Sequence, residues 1–412
     1  MQVEKALSWR TADAATPAGS IKADDASSED SLRKGHTPRS ILFVAWRDLA
    51  NPLAGGSEQV IHELAQGLSE RGVEVSLLCG GPVASSFLYK TVQSGGTYSQ
   101  FVRVPFSYRR QFRSTDLVVE VCNGMPFLAP LWRRGPSLCF VHHVHTELWR
   151  GRFNPAVAAL GRAVESKVMP FVHRRNLIVT VSPSSRASLR GLGVEDERIR
   201  EIPMGVNEPP APLTESKEPL FVAAGRLVGY KRIGLLLRLW QSVYPMVGGR
   251  LVIVGDGPDR HALQSMNVEG VDFVGFVSEE EKHRLMSEAW MLVHPAQWEG
   301  WGIVITEAAA RGTTSIGFDV PGVRDSIRAD VTGVIATSED DFIKQWIALA
   351  QDPIRRKEFA DNARRQALNR SWPVTVDRFM SIATEAIARE RDPQSVVYGP
   401  GMEFSSVEAT SG

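Results

Sequence analysis

Two glutamates beside a glycine-rich turn form the most chemically informative pair in this sequence. Glu299 and Glu307 stand eight residues apart in the stretch EGWGIVITE, where the glycines indicate a loop that leads into a helix. Both carboxylates can therefore line one cleft. A carboxylate accepts two hydrogen bonds side by side, which matches the vicinal hydroxyls of a ribose or a hexopyranose. The pair predicts a site that binds hydroxyl groups.

Two other loops carry features that suit a phosphate. Arg226 and Lys231 lie in the segment GRLVGYK, directly after an apolar run, and two cations on one loop could hold a diphosphate. Gly55 and Gly56 stand between a predicted strand and a predicted helix, where backbone N–H groups can approach an anion at the helix start. An ordinary tight turn is the alternative for the glycine loop.

Three histidines follow a predicted buried strand in the stretch VHHVHT. His142, His143 and His145 would open into the crevice at the carboxyl end of a parallel sheet. The His-x-His spacing could bind a metal, but no set of carboxylates or cysteines stands nearby to complete the site. No Asp-x-Asp element follows a predicted strand either. We therefore predict no metal, and cations and backbone dipoles would neutralise a bound diphosphate.

These residues need a scaffold that brings several strand ends together. Continuous apolar runs alternate with stretches of helical spacing from about residue 40 onward, which is typical of parallel strands buried on both faces. A proline-rich segment around Pro209, Pro210 and Pro212 separates two such series. The fold class is therefore α/β, with two doubly wound Rossmann-like domains.

The composition along the chain sets the predicted boundaries. Residues 1–38 hold almost no large apolar side chains and are predicted to be a disordered tail. The first Rossmann-like domain would cover 39–205 and the second 206–370. A helix would occupy 371–391, and 392–412 would be a flexible tail.

The ordered motifs resemble the large family 4 of retaining glycosyltransferases, also called group 1, which has the GT-B architecture. The Glu-x7-Glu element and the segment GRLVGYK carry most of this resemblance. Other segments match the family in the expected order between about residues 40 and 390: VSPSSR at 181–186, IPMGVN at 202–207, GDGP at 255–258, FVGF at 273–276, Thr332-Gly333 and Ser371-Trp372. Trp301 stands where the family usually has Phe.

The resemblance implies a role for each matched residue. Glu307 would hold the ribose of a nucleoside diphosphate sugar, Glu299 the hydroxyls of its sugar, and Arg226 with Lys231 the departing diphosphate. His142 would contact the transferred sugar, with His143 on the acceptor side. The donor site would further include the following backbone positions: Gly55, Gly56, Gly302, Ile303 and Val304.

The same resemblance implies how the parts work together. The first domain would bind the acceptor, the second the donor, and the C-terminal helix would cross back to the first domain. The enzyme would need no cofactor, would work without a metal, and would retain the anomeric configuration. A GT-B epimerase or hydrolase, and a non-catalytic nucleotide-sugar scaffold, are the alternatives. The sugar, the base, the acceptor, the linkage and the oligomeric state stay open.

Composition excludes several other classes of protein. The 412 residues are 43% hydrophobic and 23% charged, which suits packed domains, and no run reaches the roughly 18 apolar residues of a membrane span. The 47 basic and 47 acidic side chains balance, which argues against binding nucleic acid through a general positive field. The start of the chain lacks a secretory pattern and there are three cysteines, so we expect a cytoplasmic protein.

Charge is unevenly distributed along the chain. Residues 39–205 carry 20 basic and 13 acidic side chains, whereas 206–412 carry 22 and 28. In the first half, arginines alternate with aromatic residues between Phe101 and Arg113, and a second basic stretch spans 147–175. This pattern suits peripheral binding at the inner face of an anionic membrane and a lipid-linked acceptor. A solvated basic face with a soluble acceptor is the alternative.

Overall fold

The computed structural model describes residues 37–84, 86–146, 148–149, 154–207 and 215–391. The predicted tails lie outside these ranges, apart from Thr37 and Pro38, and so do the three prolines between the two halves. Across the described ranges, no helix combines the length and the apolar character needed to cross a membrane.

Seven parallel strands form the sheet of the first lobe. They follow the order β3-β2-β1-β4-β5-β6-β7. The sequence pattern predicts the five inner strands but not the two edge strands. The edge strands, KTVQ and IRE, have four and three residues. They are partly exposed because each has a neighbouring strand on one side only. The strands are β1 Ser40–Val44, β2 Glu74–Cys79, β3 Lys90–Gln93, β4 Leu117–Cys122, β5 Ser137–Val141, β6 Leu177–Thr180 and β7 Ile199–Glu201.

Helices cover both faces of this sheet. The first begins after Gly55, where Glu58 closes a capping box, and buries Val60, Ile61, Leu64 and Leu68 at helical spacing. A π-helical turn, Val164–Val168, joins the third helix to the fourth. The helices are α1 Gly56–Glu70, α2 Gln100–Gln111, α3 Pro155–Ala163, α4 Met169–Val172 and α5 Pro183–Gly191.

Six parallel strands form the sheet of the second lobe, in the order β10-β9-β8-β11-β12-β13. The sequence pattern predicts every one of them except the edge strand β13. The strands are β8 Leu220–Ala224, β9 Arg250–Val254, β10 Val271–Gly275, β11 Met291–His294, β12 Thr314–Phe318 and β13 Gly333–Ala336.

The second lobe has its own apolar core under that sheet. Trp240 and Trp346 are fully buried there with ring centroids 5.4 Å apart, as expected for tryptophans at helical spacing. The helices of this lobe are α6 Ile233–Val247, α7 Arg260–Gln264, α8 Glu279–Glu288, α9 Ile303–Ala310, α10 Val323–Ser326, α11 Glu339–Gln351 and α12 Pro353–Leu368.

The last helix, α13 Trp372–Arg391, packs on the first lobe although it follows the second in sequence. Phe379 stacks on Phe43 of β1 at 5.7 Å, and Asp377 pairs with Arg71 at 2.8 Å. The predicted crossing back to the first lobe is therefore confirmed.

Strand order determines where a crevice opens in each sheet. In the second sheet, β8 and β11 are neighbours, but the chain continues from β8 toward one edge and from β11 toward the other. The loops that leave the carboxyl ends of two such strands diverge, and ligands of doubly wound sheets bind between them. The β8 loop carries Arg226 and Lys231, and the β11 loop carries Glu299.

Candidate active site

Glu299 is at the centre of a charged cluster in the second lobe. The Lys231 ammonium donates a hydrogen bond to its Oε1, and His294 Nε2 lies 2.9 Å from the same oxygen. Burial alone would raise the pKa of Glu299, yet Lys231 and His294 hold that pKa well below its ordinary value. Burial would lower the pKa of Lys231, but the Glu299 carboxylate raises it. Both side chains are therefore charged at neutral pH.

The histidine loop of the first lobe lies directly against this cluster. A β-carbon at Gly300 would lie 2.8 Å from the His142 carbonyl oxygen and 3.5 Å from Nδ1 of His143. Only glycine therefore allows the Glu299 loop to come this close. The contact brings His143 to the Lys231–Glu299 pair, whose charges act on its pKa.

His142 and His143 are neutral in this environment. Burial lowers the pKa of His142 to about 3, and the neighbouring His143 and His145 add to the effect. Loss of solvent and the nearby His145 hold the pKa of His143 well below its ordinary value. His142 Nε2 is buried, and among the described residues it has no hydrogen-bond partner. A polar ligand in the cleft could supply that partner.

Arg226 reaches across the cleft to the first lobe. Its guanidinium donates to the Leu53 carbonyl oxygen at 3.0 Å. Gly56 also faces the second lobe, because a β-carbon there would lie 3.5 Å from Cδ1 of Ile303. The Gly55 amide donates to the Glu58 carboxylate at 2.9 Å, so it is already used in the capping box.

The start of α9 supplies the other predicted donor positions. Gly302 precedes this helix with φ +85°, a left-handed conformation that favours glycine. Ile303 follows at the interface with Gly56, and Val304 packs on the apolar cluster of the second lobe. The Ile305 amide donates to the Gly302 carbonyl oxygen at 2.9 Å, so the amides of Ile303 and Val304 are the ones that the helix itself cannot pair.

Glu307 pairs with a lysine of α8, whereas Glu299 pairs with Lys231. Lys282 Nζ lies 3.1 Å from Glu307 Oε1 and 2.8 Å from Glu279 Oε2. Burial would lower the pKa of Lys282, but Glu307 and Glu279 raise it. Arg311 donates to the backbone carbonyl of Glu307 at 3.0 Å.

His145 belongs to a third buried network. Glu165, in the π-helical turn, accepts a hydrogen bond from the His145 amide at 2.6 Å and from the Trp149 indole at 3.0 Å. The rings of His143 and His145 stack at 4.0 Å, so this network supports the histidine loop. Burial raises the pKa of Glu165 to about 7, and the two hydrogen bonds only partly oppose it.

Two groups of metal-type ligands occur among the described residues. One comprises Glu120, Cys139 and His173, buried inside the first lobe, where Glu120 also accepts the Leu128 and Ala129 amides. The other comprises Glu279, His283 and Glu307, whose two carboxylates already bind the Lys282 ammonium. The expectation that no metal takes part stays a prediction.

Some of the predicted site residues are in contact in the structure, and three further residues contact them. Lys231, Glu299 and the His142–His143 pair meet at one place, whereas Glu307 pairs with Lys282 instead. Sequence reasoning missed His294, Lys282 and Glu165. His294 ends a buried strand, so its position at a crevice could have been recognised. Lys282 and Glu165 lie on helices and gave no comparable signal.

Family models match both lobes. The model of "Glycosyl transferases group 1" matches residues 207–366, and that of "Glycosyltransferase Family 4" matches residues 54–208.

Curated relatives agree with these matches. A D-inositol 3-phosphate glycosyltransferase of Thermomonospora curvata is 33% identical over 404 residues, covering 81% of this chain and 91% of that protein. The phosphatidylinositol N-acetylglucosaminyltransferase gpi3 subunit of Schizosaccharomyces pombe is 27% identical, covering 86% and 84%. A GDP-mannose-dependent alpha-mannosyltransferase of Mycobacterium tuberculosis is 33% identical over 178 residues, and this match spans 43% of the chain and only 46% of that relative.

Solved structures show the same architecture. Anabaena HepE, crystallised with UDP and glucose, superposes with a TM-score of 0.69 at 18% identity, over 84% of this chain and all of HepE. At this identity the likeness shows the fold alone, and it confirms the expected GT-B arrangement. The two family models, and the relative that is 33% identical over 91% of its length, show that this chain belongs to the group 1 glycosyltransferases of family 4.

Proposed function

We propose that this glycosyltransferase moves a sugar from a nucleoside diphosphate sugar to an acceptor hydroxyl with retention of configuration. One observation carries the proposal: the Lys231–Glu299 pair of the second lobe touches the His142–His143 loop of the first at Gly300. A donor bound on one lobe and an acceptor bound on the other would therefore meet at this contact.

Each side chain has a role that its surroundings support. The bond between the anomeric carbon and the diphosphate breaks, and the acceptor oxygen forms a new bond to that carbon. The acceptor proton passes to the departing phosphate. Arg226 and Lys231 would stabilise the charge that develops on the diphosphate, and one preorganised donor of this kind is typically worth about 3 kcal/mol.

The hydroxyl-binding roles follow from charge and hydrogen-bonding capacity. Glu299 is ionised, so it can accept hydrogen bonds from the sugar while Lys231 turns toward the phosphate. Glu307 would accept the ribose hydroxyls. His142 would offer its unpartnered Nε2 to the transferred sugar, and His143 lies beside it for the acceptor.

We also propose that the reaction needs no divalent metal. Arg226 and Lys231 place two positive charges on one loop, and the amides at the start of α9 add partial positive charge. Together they supply the neutralisation that a metal would otherwise give to a diphosphate.

A donor screen tests both statements. UDP-, GDP- and ADP-sugars are incubated with the enzyme, with and without EDTA, and release of the nucleoside diphosphate is followed. We expect one base to be preferred and EDTA to change the rate less than twofold. Loss of turnover with EDTA that manganese restores would contradict the metal-free site, and an inverted anomeric signal in the NMR spectrum of the product would contradict retention.

The acceptor is proposed to be lipid-linked or part of a glycoconjugate. Two of the relatives are named for inositol-containing acceptors, one of them a phosphatidylinositol. On the first lobe, Val102 and Phe106 of α2 are 68% and 65% exposed, beside Arg103, Arg109 and Arg110. Exposed apolar groups among arginines suit a headgroup region.

The described structure corrects part of the sequence argument for this surface. Tyr108 and Phe112 are buried, and Phe101 of α2 is partly buried against the same apolar cluster. Phe106 is therefore the one aromatic residue of that set that faces solvent. The second basic stretch contributes Leu160 and Phe171, which are 63% and 66% exposed. Trp149 is buried and contacts Glu165 instead.

Vesicle flotation tests the membrane proposal. We expect binding to vesicles that contain phosphatidylglycerol at low salt, weaker binding at high salt, and no binding to pure phosphatidylcholine. The triple variant R103Q, R109Q, R110Q should lose most of this binding, whereas replacing the exposed pair Arg355 and Lys357 on α12 should not. Equal flotation of all variants would contradict the proposal.

A further inference from the structure

A lysine that the proposed reaction does not use lies at the centre of an acidic group beside Glu307. This Lys282 cluster comprises Glu279, Lys282 and His283 of α8 with Glu307 of α9 and Arg311, which directly follows α9. The Lys282 ammonium is 2.8 Å from Glu279 Oε2 and 3.1 Å from Glu307 Oε1. It therefore occupies the position between two carboxylates where a bound cation would otherwise lie.

Burial distinguishes the two partners of Lys282. The side chains of Lys282 and Glu307 are each 18% exposed, whereas that of Glu279 is 73% exposed. Ion pairs on the surface contribute little, so the contact with Glu307 is the one that matters. Among the described residues, Lys282 is the cation that contacts the Glu307 carboxylate directly, while Arg311 binds the backbone carbonyl of the same residue.

The geometry leaves part of Glu307 free for a ligand. Lys282 binds Oε1, and within the described ranges no side chain donates a hydrogen bond to Oε2. A carboxylate oxygen accepts up to two hydrogen bonds, so the group can take both hydroxyls of a diol. The ammonium has three N–H groups, of which two are used, and the third can reach an oxygen of the same ligand.

The negative charge of Glu307 would also act on a bound donor. The donor brings a diphosphate into a cleft that already contains Glu299 and Glu307. An uncompensated carboxylate at Glu307 would repel that anion, while a neutralised one would not. The Lys282 ammonium, 3.1 Å from Glu307 Oε1, offsets this negative charge and leaves the carboxylate oxygens available as acceptors.

We infer that Lys282 positions Glu307 for the ribose of the donor and so determines the preference of this enzyme for ribonucleotides over 2′-deoxyribonucleotides. The inference rests on the proposed function, in which Glu307 binds ribose, and adds Lys282 as a positioning residue. Lys282 acts through the carboxylate, and its effect should depend on the 2′-hydroxyl.

Binding measurements with nucleotides alone test the inference and need no acceptor. UDP, GDP and ADP are titrated into the wild-type enzyme by calorimetry, and the one that binds is compared with its 2′-deoxy counterpart. The test variants are Lys282→Met and Lys282→Arg. The control is Lys357→Met, which removes a lysine from an ion pair with Asp361 on the surface of α12. We expect the wild type to prefer the ribonucleotide by tenfold or more.

The variants should separate positioning from general packing. Lys282→Met should weaken ribonucleotide binding about tenfold. The preference for the ribonucleotide should fall below threefold, because the deoxynucleotide makes no hydrogen bond through a 2′-hydroxyl that the variant could weaken. Lys282→Arg should keep the preference, and Lys357→Met should match the wild type.

Each outcome has one meaning. If Lys282→Met weakens both nucleotides equally, or leaves the preference intact, the inference is overturned. If none of the three nucleotides binds the wild type, the proposed function fails instead. If Lys282→Met does not fold, as judged by circular dichroism, Lys282→Gln replaces it, and a preserved preference in that variant overturns the inference equally.

Discussion

Two glutamates with little solvent exposure, one in each lobe, differ in their partners. Glu299 of the second lobe is bound by the Lys231 ammonium and by His294, and its pKa is well below the ordinary value. Glu165 of the first lobe is bound by an amide and an indole, and burial raises its pKa to about 7. Burial acts in the same direction on both, so the partner decides which form is present.

The difference matches what each lobe is proposed to do. A cation on Glu299 maintains an ionised acceptor for sugar hydroxyls and provides charge for the leaving diphosphate. Neutral donors on Glu165 hold the loop of His143 and His145 in place without adding charge near the acceptor. At this site the Lys231–Glu299 pair lies in the second lobe, while neutral hydrogen bonds to Glu165 hold the histidine loop of the first.

Removing the cation from Glu299 should give the largest effect. In Lys231→Met, we expect kcat for donor turnover to fall about a hundredfold or more, since the leaving group loses one preorganised positive charge. Steady-state kinetics with the preferred donor measures it. Lys344→Met, on the exposed face of α11, is the matched control.

A change limited to KM would mean that Lys231 only binds the donor. In that case the leaving group would gain no stabilisation from Lys231 in the transition state, and the Lys231–Glu299 contact would serve donor binding alone.

The raised pKa of Glu165 predicts how stability depends on pH. Its ordinary value of 4.5 applies to the unfolded chain and about 7 to the folded one, so the stabilisation is present below pH 4.5 and is lost as the pH rises through 7. In Glu165→Gln this dependence disappears. The difference in unfolding free energy between wild type and variant should therefore decrease by roughly 2 to 3 kcal/mol from pH 5 to pH 8.

Urea unfolding at both pH values measures this difference. Glu74→Gln, at the exposed start of β2, should show no such change. A constant difference for Glu165→Gln would indicate that Glu165 is ionised in the folded protein, and the comparison with Glu299 would then be wrong.

Much of the fold could be predicted because the inner strands are buried on both faces. The runs ILFV in β1 and LVIV in β9 are continuously apolar. Three of the four edge strands, β3, β7 and β13, are short or mixed and resemble loops. The crossing helix α13 followed from the family resemblance rather than from its own pattern.

The site could be predicted as a set of residue types but not as a set of pairs. Lys231 and Glu299 were assigned to different parts of the donor, yet they share a hydrogen bond. Their contact depends on two loops that are 68 residues apart, and the sequence contains no signal for that distance. Lys282 was missed for the same reason, since its partner Glu307 lies on another helix.

A substitution at Gly300, where the Glu299 loop meets the histidine loop, should have a moderate effect. In Gly300→Ala the new β-carbon would meet the His142 carbonyl oxygen at 2.8 Å, so the Glu299 loop must move back. We expect turnover to fall tenfold or more, because small displacements of reacting groups are costly. Unfolding free energy should change by less than about 1 kcal/mol, since Gly300 lies in a partly exposed loop and not in a packed core.

The control for that variant is Gly191→Ala, at the end of α5, where a β-carbon would meet nothing within 4 Å. Unchanged turnover in Gly300→Ala would mean that the cleft is wider in solution and that the two lobes do not need this contact.

The smallest effect is expected for a carboxylate that is neither buried nor near the cleft. Asp377 of α13 pairs with Arg71 at 2.8 Å, but the two side chains are 66% and 31% exposed. Water and salt screen such a pair, so Asp377→Asn should lower the unfolding free energy by less than about 0.5 kcal/mol. Phe379 lies two residues after Asp377 in α13, and its buried ring stacks on Phe43 of β1. Phe379→Ala should lower the unfolding free energy by about 3 to 5 kcal/mol in the same urea titration. If the two variants were equally destabilised, the exposed ion pair would hold α13 on the first lobe as strongly as the buried ring does, and partners rather than burial would dominate there too.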